Sequence, residues 1–179
     1  MDAITCIETR RSVRSFKDTA VEKETIEAIV KTASMAPSWK NTQIARYTVV
    51  TGDLKKKVVE NCFSQYPHNG EIIDSAPMLV VLSFVKSRSG FERDGSFSTN
   101  KEGGWQMFDS GIAAATFCLA CHEKGLGTVI MGIFDDDKVA TAIDLPETQE
   151  VACLIPVGYP AEEPTAPKRK EVSDLLSFK

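Results

Sequence analysis

The longest apolar stretch of the chain lies at residues 105–133, and it predicts a buried helix followed by a buried strand. Within residues 111–121 (GIAAATFCLAC) only Thr116 is clearly polar. A helix that is apolar all the way round has to be covered on every side. A bilayer crossing takes about 20 uninterrupted apolar residues, and here Asp109 and His122 bracket a shorter run. We therefore expect a core helix, ended by Gly125 as a left-handed cap, and a strand at residues 128–133.

Three earlier stretches have the spacing of amphipathic helices. The first lies at residues 2–9, and a capping-box pattern from Thr19 to Glu22 predicts the beginning of the second. The i, i+3, i+4, i+7 spacing predicts its buried face, which consists of Ile26, Ile29, Val30 and Ala33. The third lies at residues 54–63, where we expect Leu54 to point inward and the lysines at 55–57 to point outward.

Three further strands are predicted at residues 46–51 (RYTVVT), 77–85 (PMLVVLSFV) and 151–157 (VACLIPV). The continuous apolar run at 77–85 indicates a strand that is covered on both faces. The aspartates at 135–137 precede a short helix, and we interpret them as its N-cap and first turn rather than as a metal site. Helices and four strands around one central sheet place the chain in the mixed α and β class.

Composition and charge limit the function. The chain has 179 residues, of which 42% are hydrophobic and 26% charged, as expected for one globular domain at residues 1–179. The net charge of -4 gives no general attraction to nucleic acid. The first residues do not resemble a secretory signal, and the five cysteines are an odd number, so we expect reduced thiols and a cytoplasmic location away from membranes.

Two basic clusters stand out from this acidic background. Three arginines and two serines are interleaved in RRSVRSF at residues 10–16, and a second cluster, KRK, lies at residues 168–170. Guanidinium groups and hydroxyls are suited to hold a phosphate. A solvated basic turn would have the same composition, so the pattern alone leaves both interpretations open.

Two loops are rich in polar and aromatic residues. PSWKNTQ at residues 37–43 lies where a helix is followed by a strand, a common place for a site, although a plain connector would also fit. Residues 86–104 contain four glycines and two isolated phenylalanines, which is typical of a lid, a substrate wall or a disordered loop. An extended, proline-spaced tail is expected from about residue 160 to 179.

Three conspicuous motifs do not support a function. CLACH at residues 118–122 matches a haem-attachment pattern, but its cysteines lie on the predicted core helix, where free cysteine acts as a small hydrophobe. Only two histidines exist and no second cysteine pair has ligand spacing, so no metal site is predicted. GLG at residues 125–127 follows a helix and precedes a strand, which is the reverse of the dinucleotide-binding order.

Six motifs taken together, over residues 4–169, resemble the nitroreductase family. They are RRSVRSF at 10–16, APSxxNxQ at 36–43, GIA at 111–113, GLGTxxxG at 125–132, PxGYP at 156–160 and KR at 168–169. The resemblance implies an α+β fold of three layers, in which helices flank a central, mainly antiparallel sheet. It also implies an intertwined homodimer with one FMN per subunit in a cleft between the chains. Small residues on the 111–121 helix would let a partner helix approach closely.

The resemblance also implies roles for particular residues. The FMN phosphate would be held by Arg10, Arg11, Ser12, Arg169 and Lys168. Arg14 would lie at the N1/O2 edge of the flavin, where a cation stabilises the charge that develops on reduction. The ring would be contacted, from the same chain or from the partner, by Pro37, Ser38 and Asn41. A backbone N–H in the turn at Met131 and Gly132 would lie near flavin N5.

The implied activity is that of an NAD(P)H-dependent flavin oxidoreductase. Hydride would pass from NADH or NADPH to flavin N5 and then, in a second half-reaction, to a nitroaromatic, a quinone or another flavin. A dehalogenase or a flavin-destroying enzyme with the same fold is an alternative, in which residues 86–104 would act as a lid. A flavin-binding module without turnover is another. Where many relatives have Pro-Trp after the glutamine of the second motif, this chain has Ile44 and Ala45.

Overall fold

The computed structural model describes residues 1–179 and contains one four-stranded sheet in which all neighbours are antiparallel. The strands are β1 (Ala45–Val50), β2 (Met78–Val85), β3 (Gly127–Thr128) and β4 (Gln149–Gly158). Their order across the sheet is β1, β2, β4, β3, so β2 and β4 are central. The predicted α+β class and the antiparallel sheet are confirmed.

Seven helices accompany the sheet, whereas the sequence predicted five. They are α1 (Ala3–Thr9), α2 (Lys23–Ala33), α3 (Gly52–Asn61), α4 (Pro67–Ser75), α5 (Gly104–Glu123), α6 (Asp136–Ala142) and α7 (Val172–Leu175). A 3-10 turn lies at Trp39–Asn41. None of the helices combines the length and apolar character that a bilayer crossing requires.

The side chains of β2 build both cores, because the strand alternates between two apolar layers. Leu79 and Val81 pack into the core that includes residues of α3, α4 and α6. Val80 and Leu82 pack on the opposite face, in the core that includes residues of α2 and α5. All four side chains are 0% exposed, which confirms the prediction of a strand covered on both faces.

The predicted core helix is α5, and its cap is confirmed. Gly125 has φ +75°, and the N–H groups of Gly125 and Leu126 donate to the carbonyls of His122 and Cys121 at 2.9 Å each. Within one chain, however, α5 is covered on one side only. Phe117 is 0% exposed, whereas Met107 and Phe108 are 52% and 59% exposed. The remaining cover that an apolar helix needs does not come from this chain.

The cap of α6 and the state of the cysteines also agree with the sequence. Asp135 precedes α6, and its side chain accepts a hydrogen bond from the Lys138 N–H at 3.1 Å. The five cysteines are all buried and unpaired. No group of three or more histidine, cysteine, aspartate and glutamate side chains is arranged to hold a metal ion.

Three local predictions were wrong. Helix α2 begins at Lys23, and Glu22 precedes it without a side-chain cap, so there is no capping box at Thr19. In α3, Leu54 is exposed and Lys55 is buried, because the Lys55 ammonium bonds to carbonyls of α4, a helix that the sequence did not reveal.

The third wrong prediction is the strand at residues 128–133. Only β3 and the single bridge between Met131 and Leu154 pair with β4 in this region. Val129 and Ile130 leave the ladder between these points and line a cavity instead. The apolar run therefore serves a cavity wall rather than a longer strand.

Candidate functional site

Residues 10–16 run along the edge of the sheet, and this placement turns the arginines outward. The Val13 N–H donates to the Thr128 carbonyl at 3.0 Å, and Val13 and Phe16 are buried in the core. Gly127 permits this approach, since a Cβ atom there would lie 2.8 Å from the Val13 side chain. With Val13 and Phe16 turned inward, Arg14 lies on the exposed side.

The two basic clusters meet in one polar cavity of about 270 Å³. Apart from two prolines its lining is polar, and no carboxylate lines it; the lining residues are Arg10, Arg11, Ser12, Arg14, Pro164, Thr165, Pro167 and Arg169. None of its arginines takes part in an ion pair. Arg11 donates only to the carbonyls of Glu8 and Arg10, at 2.7 and 2.8 Å. Four guanidinium groups without acidic partners give this cavity the chemistry that suits an anion.

A second cavity, of about 380 Å³, adjoins the first and shares Arg10, Ser12 and Arg169 with it. Its other lining residues are mostly apolar: Ile7, Ala115, Cys118, Leu119, Val129 and Ile130. A ligand that combines an anionic group with an apolar body would fit such a pair of neighbouring cavities.

Two ionisable residues, Glu162 and His122, lie close to the arginine segment. The Glu162 carboxylate accepts hydrogen bonds from the N–H groups of Arg14 and Ser15, at 2.6 and 3.1 Å, and so ties the tail to the arginine segment. Burial, reinforced by the charges of Arg10 and Arg11, lowers the pKa of His122 below its ordinary value. The arginines therefore favour the neutral form of His122, while Glu162 brings one carboxylate close to Arg14.

In the turn that the resemblance places near flavin N5, the backbone N–H groups of Met131 and Gly132 differ. Met131 is 4% exposed, and its N–H already donates to the Leu154 carbonyl at 2.9 Å. Gly132 is exposed, its N–H has no hydrogen-bond partner in the chain, and a Cβ atom there would meet nothing within 4 Å. Of the two residues, Gly132 offers both the unused donor and the space.

The remaining predicted residues lie elsewhere in the protomer. Pro37 and Ser38 line a third cavity, of about 290 Å³, which shares no residue with the two arginine cavities. Asn41 belongs to the neighbouring 3-10 turn, and Lys168 lines none of these cavities. One chain thus gathers Arg10, Arg11, Ser12, Arg14 and Arg169, and it keeps the 37–41 loop apart from them.

Sequence reasoning missed the buried polar group that holds this loop. Asp109, on α5, is 4% exposed, and both of its oxygens accept from the Trp39 N–H, at 3.1 and 2.9 Å. Ser89, from the 86–104 segment, donates to the same carboxylate at 2.5 Å. The available signal was the position of Asp109, a carboxylate within the predicted core helix, at the border of its apolar run.

The comparisons with known proteins agree with the observed fold. The nitroreductase family model matches residues 7–72 and 64–159, so the chain belongs to the nitroreductase family. The chain is 29% identical, over 168 residues, to a Methanothermobacter thermautotrophicus protein named "Putative NADH dehydrogenase/NAD(P)H nitroreductase". That match covers 92% of this chain and 80% of the relative.

One further relative has a different functional name, and two solved structures resemble the fold. Human iodotyrosine deiodinase 1 is 27% identical, and the match covers 93% of this chain and 65% of that protein. A nitroreductase family protein from Clostridium novyi NT is 27% identical, with a TM-score of 0.76 over 93% of this chain and 89% of that one. A protein from Exiguobacterium sibiricum 255-15 in complex with FMN has a TM-score of 0.84 at 17% identity, over 100% and 98% of the two chains, which shows a common fold.

Proposed function

We propose that this chain is an FMN-dependent oxidoreductase that uses NADH or NADPH to reduce a small organic acceptor. The observation that carries the proposal is the polar cavity in which Arg10, Arg11, Arg14 and Arg169 meet without any carboxylate. The names of the relatives, which include NAD(P)H nitroreductases, support the same class of reaction. The acceptor classes that we expect are nitroaromatics, quinones and flavins.

The cavities have the chemistry that FMN requires. A terminal phosphate carries close to two negative charges near neutral pH, and guanidinium groups bind such a group with charge-assisted hydrogen bonds. The polar cavity supplies these donors together with the Ser12 hydroxyl, and the adjoining apolar cavity offers room for a less polar part of the ligand. No adenylate site accompanies them in the sequence, so we infer FMN rather than FAD.

Each part of the chain has a role in this proposal. Bound FMN would supply the redox chemistry, by taking a hydride from NAD(P)H and giving it to the acceptor. Arg10, Arg11, Ser12 and Arg169, with Lys168 from the same tail, hold the phosphate. Arg14 would place a positive charge against the ring edge, and the Gly132 N–H would be available to donate a hydrogen bond at the hydride-accepting side of the ring.

The proposed active unit is a homodimer. The 37–41 loop of one protomer lies away from its own arginine cavities, so Pro37, Ser38 and Asn41 would contact the flavin that the partner subunit holds. The exposed apolar side of α5 supports this arrangement, because a second copy of the chain would cover it.

Spectroscopy of the purified protein tests the proposed function. We expect a yellow protein that releases FMN, and no FAD, on denaturation. Under anaerobic conditions, one of the two reduced nicotinamides should bleach the flavin within the turnover time, and a nitroaromatic or a quinone should restore the colour. A protein that binds FMN but is not bleached by NADH or NADPH would be a flavin-binding module, and one that releases FAD would contradict the proposed cofactor.

The similarity to iodotyrosine deiodinase supports a second candidate, reductive dehalogenation at the same site. Chemically reduced protein can be mixed with 3-iodotyrosine, and the released iodide can be measured beside the rate of nitroaromatic reduction. Iodide release at a rate similar to nitro reduction would favour the dehalogenase. Fast nitro reduction without iodide would favour the first candidate.

A further inference from the structure

We propose that Asp109 is a positioning residue, which fixes the 37–43 loop in its flavin-contacting conformation and links that loop to the 86–104 segment. The proposal rests on the proposed function, because the loop carries three of the expected flavin contacts. Asp109 itself lies on α5 and lines none of the arginine cavities, and it borders the third cavity, beside Pro37 and Ser38, with only 4% of its surface exposed. It would act through the backbone of the loop and not by touching the ligand.

The Asp109 carboxylate is buried and engaged by two separate segments. Its oxygens accept from the Trp39 N–H at 3.1 and 2.9 Å and from the Ser89 hydroxyl at 2.5 Å. No lysine, arginine or histidine pairs with it. A buried carboxylate without a cation is costly unless its hydrogen bonds have good geometry. Any movement of the loop or of Ser89 that breaks these hydrogen bonds is therefore also costly.

The direction of one further hydrogen bond follows from the number of protons. Ser89 has a single hydroxyl proton, and it donates that proton to Asp109. The 2.7 Å contact between the oxygens of Ser89 and Thr42 must therefore have the Thr42 hydroxyl as its donor. The relay from Thr42 through Ser89 to Asp109 joins the end of the loop to the same carboxylate that holds its beginning.

The loop needs such anchoring because its backbone is strained. Lys40, Asn41 and Gln43 have φ of 45°, 57° and 50°, although none of them is glycine. Residues in this left-handed region persist only where the surrounding structure holds them there. Within the loop, the Gln43 N–H donates to the Ser38 hydroxyl oxygen at 2.9 Å. Asp109 and Ser89 provide the anchors from outside the loop.

The same contacts attach the 86–104 segment to the loop. Ser89 is 0% exposed, and Gly90 is so closely packed that a Cβ atom would lie against the Glu102 carbonyl oxygen. At the surface, the Lys40 ammonium donates to the Glu92 carboxylate at 3.0 Å. Because loop and segment share these contacts, a substrate held by residues 86–104 and a flavin held by the loop would each affect the binding of the other.

Asp109→Asn tests the proposal with little change of shape. Oδ2 of Asp109 accepts from both Trp39 and Ser89, so the asparagine oxygen in its place can keep both contacts but without the negative charge. The NH2 group would replace Oδ1 and face the Trp39 N–H as a second donor. The matched control is Ser110→Ala, which removes a buried hydroxyl from the next position of α5. That hydroxyl bonds only to the Gln106 carbonyl of the same helix.

Amide hydrogen exchange of the full-length protein is measured with and without FMN, together with the dissociation constant of FMN. In Asp109→Asn we expect exchange at Trp39, Asn41, Thr42 and Gln43 to rise about tenfold or more, because the hydrogen bonds from Trp39 and Ser89 lose their charged acceptor. The amides of β2 serve as the internal reference and should keep the wild-type rates. The FMN dissociation constant should rise by a similar factor, with a shift of the bound-flavin absorption bands. Ser110→Ala should match the wild type in every measurement.

Several results would overturn the proposal. One is a loop whose amides exchange at the wild-type rate in Asp109→Asn. Another is exchange that becomes faster by the same factor in the loop and in β2, which would indicate general destabilisation. If Asp109→Asn does not fold, Ser89→Ala is measured in its place. We then expect faster exchange at Thr42 and Gln43, and wild-type exchange at these two amides would count against the proposal. A wild-type protein that binds no FMN would refute the proposed function, whereas the exchange measured without flavin would still decide whether Asp109 holds the loop.

Discussion

Arg14 is the residue at which cofactor binding and redox tuning can be separated. Its side chain lines the polar cavity with Arg10, Arg11 and Arg169, and its Nη1 lies 3.3 Å from the Ser12 carbonyl oxygen. A cation at the ring edge stabilises the negative charge of the reduced flavin more than the neutral oxidised ring. A cation at the phosphate would affect both states equally.

We expect Arg14→Ala to lower the two-electron midpoint potential of bound FMN by about 30 mV or more, the equivalent of a tenfold change for such a couple. Arg14→Lys should restore most of the shift, because charge matters more than fork geometry beside a ring edge. Potentials are measured by anaerobic dye titration of the loaded protein. A variant with weaker FMN binding and an unchanged potential would place Arg14 at the phosphate.

Arg169 tests whether the tail reaches the phosphate. Its side chain lines both arginine cavities, whereas Lys170, its neighbour, lines neither. We expect Arg169→Ala to raise the dissociation constant of FMN about tenfold or more, as the loss of a hydrogen bond to a charged group implies. Lys170→Ala is the control and should leave the constant unchanged. Equal FMN dissociation constants for the wild type and Arg169→Ala would show that the tail does not contribute to FMN binding.

At the scale of elements, Lys55 joins α3 to α4. Its buried ammonium donates to the carbonyls of Ile73, Asp74 and Ala76, at 3.2, 2.9 and 2.5 Å, and so caps the end of α4 with a positive charge. Burial lowers the pKa of this lysine, while the nearby carboxylates of Asp74 and Asp18 oppose that effect. The three hydrogen bonds are what offset the cost of burying the charge.

Replacing Lys55 by methionine keeps the length of the side chain and removes the three donors. We expect the free energy of unfolding of Lys55→Met to fall by about 1–3 kcal/mol, the typical cost of leaving buried acceptors unpaired. Lys56→Met is the matched control, because Lys56 is exposed and pairs only with Asp53 at 3.7 Å. Its effect should stay within about 0.5 kcal/mol in urea unfolding. A loss of the same size in both variants would contradict the capping role.

Helix α4 also shows where sequence reasoning ends. β2 and α5 could be predicted, because each is an apolar run whose length and borders favour one type of element. The sequence of α4, PHNGEIIDS, has only two adjacent large apolar residues and a glycine in its middle, so no periodicity indicates a helix. Its order comes from tertiary contacts such as Lys55, which the pattern of α3 assigned to solvent.

The residues of the candidate site also differ in whether the sequence predicts them. The meeting of Arg10, Arg11, Arg14 and Arg169 in one cavity could be predicted, because the resemblance to family motifs brought the two distant clusters together. Asp109 could not, since its partners Trp39 and Ser89 lie 70 and 20 positions away and only the fold joins them. Residues that act through local motifs are readable in the sequence, and those that act through long-range hydrogen bonds are not.

At the scale of the whole molecule, both α1 and α5 expose large apolar side chains. Ile4 and Ile7 are 64% and 59% exposed, and Met107 and Phe108 are exposed to a similar degree. Ile7 and Ala115 line one cavity, so the exposed sides of the two helices are continuous. Apolar surface of this extent is typical of an interface, which agrees with the proposed homodimer.

Gly111→Arg tests that dimer. Gly111 is exposed on α5, and a Cβ atom there would meet nothing within 4 Å in its own chain, so the arginine would be tolerated in a monomer. In a close helix interface it would clash and bury an unpaired charge. We expect sedimentation to show a dimer for the wild type, even at high dilution, and a monomer for Gly111→Arg. Glu60→Arg, on an exposed position of α3, is the control and should stay dimeric. A flavin-loaded wild-type monomer would refute the dimer.

The burial of all five thiols has a practical consequence for single-molecule and labelling work. Burial raises the pKa of Cys153 to about 12, and it raises the pKa of Cys62, Cys118 and Cys121 as well. Because the thiolate is the species that reacts with maleimides, the native protein should resist such dyes. One cysteine introduced at an exposed position, such as Glu60, would then accept a fluorophore selectively, without first removing any of the natural cysteines. The natural cysteines therefore should not compete for the dye in distance measurements on this protein.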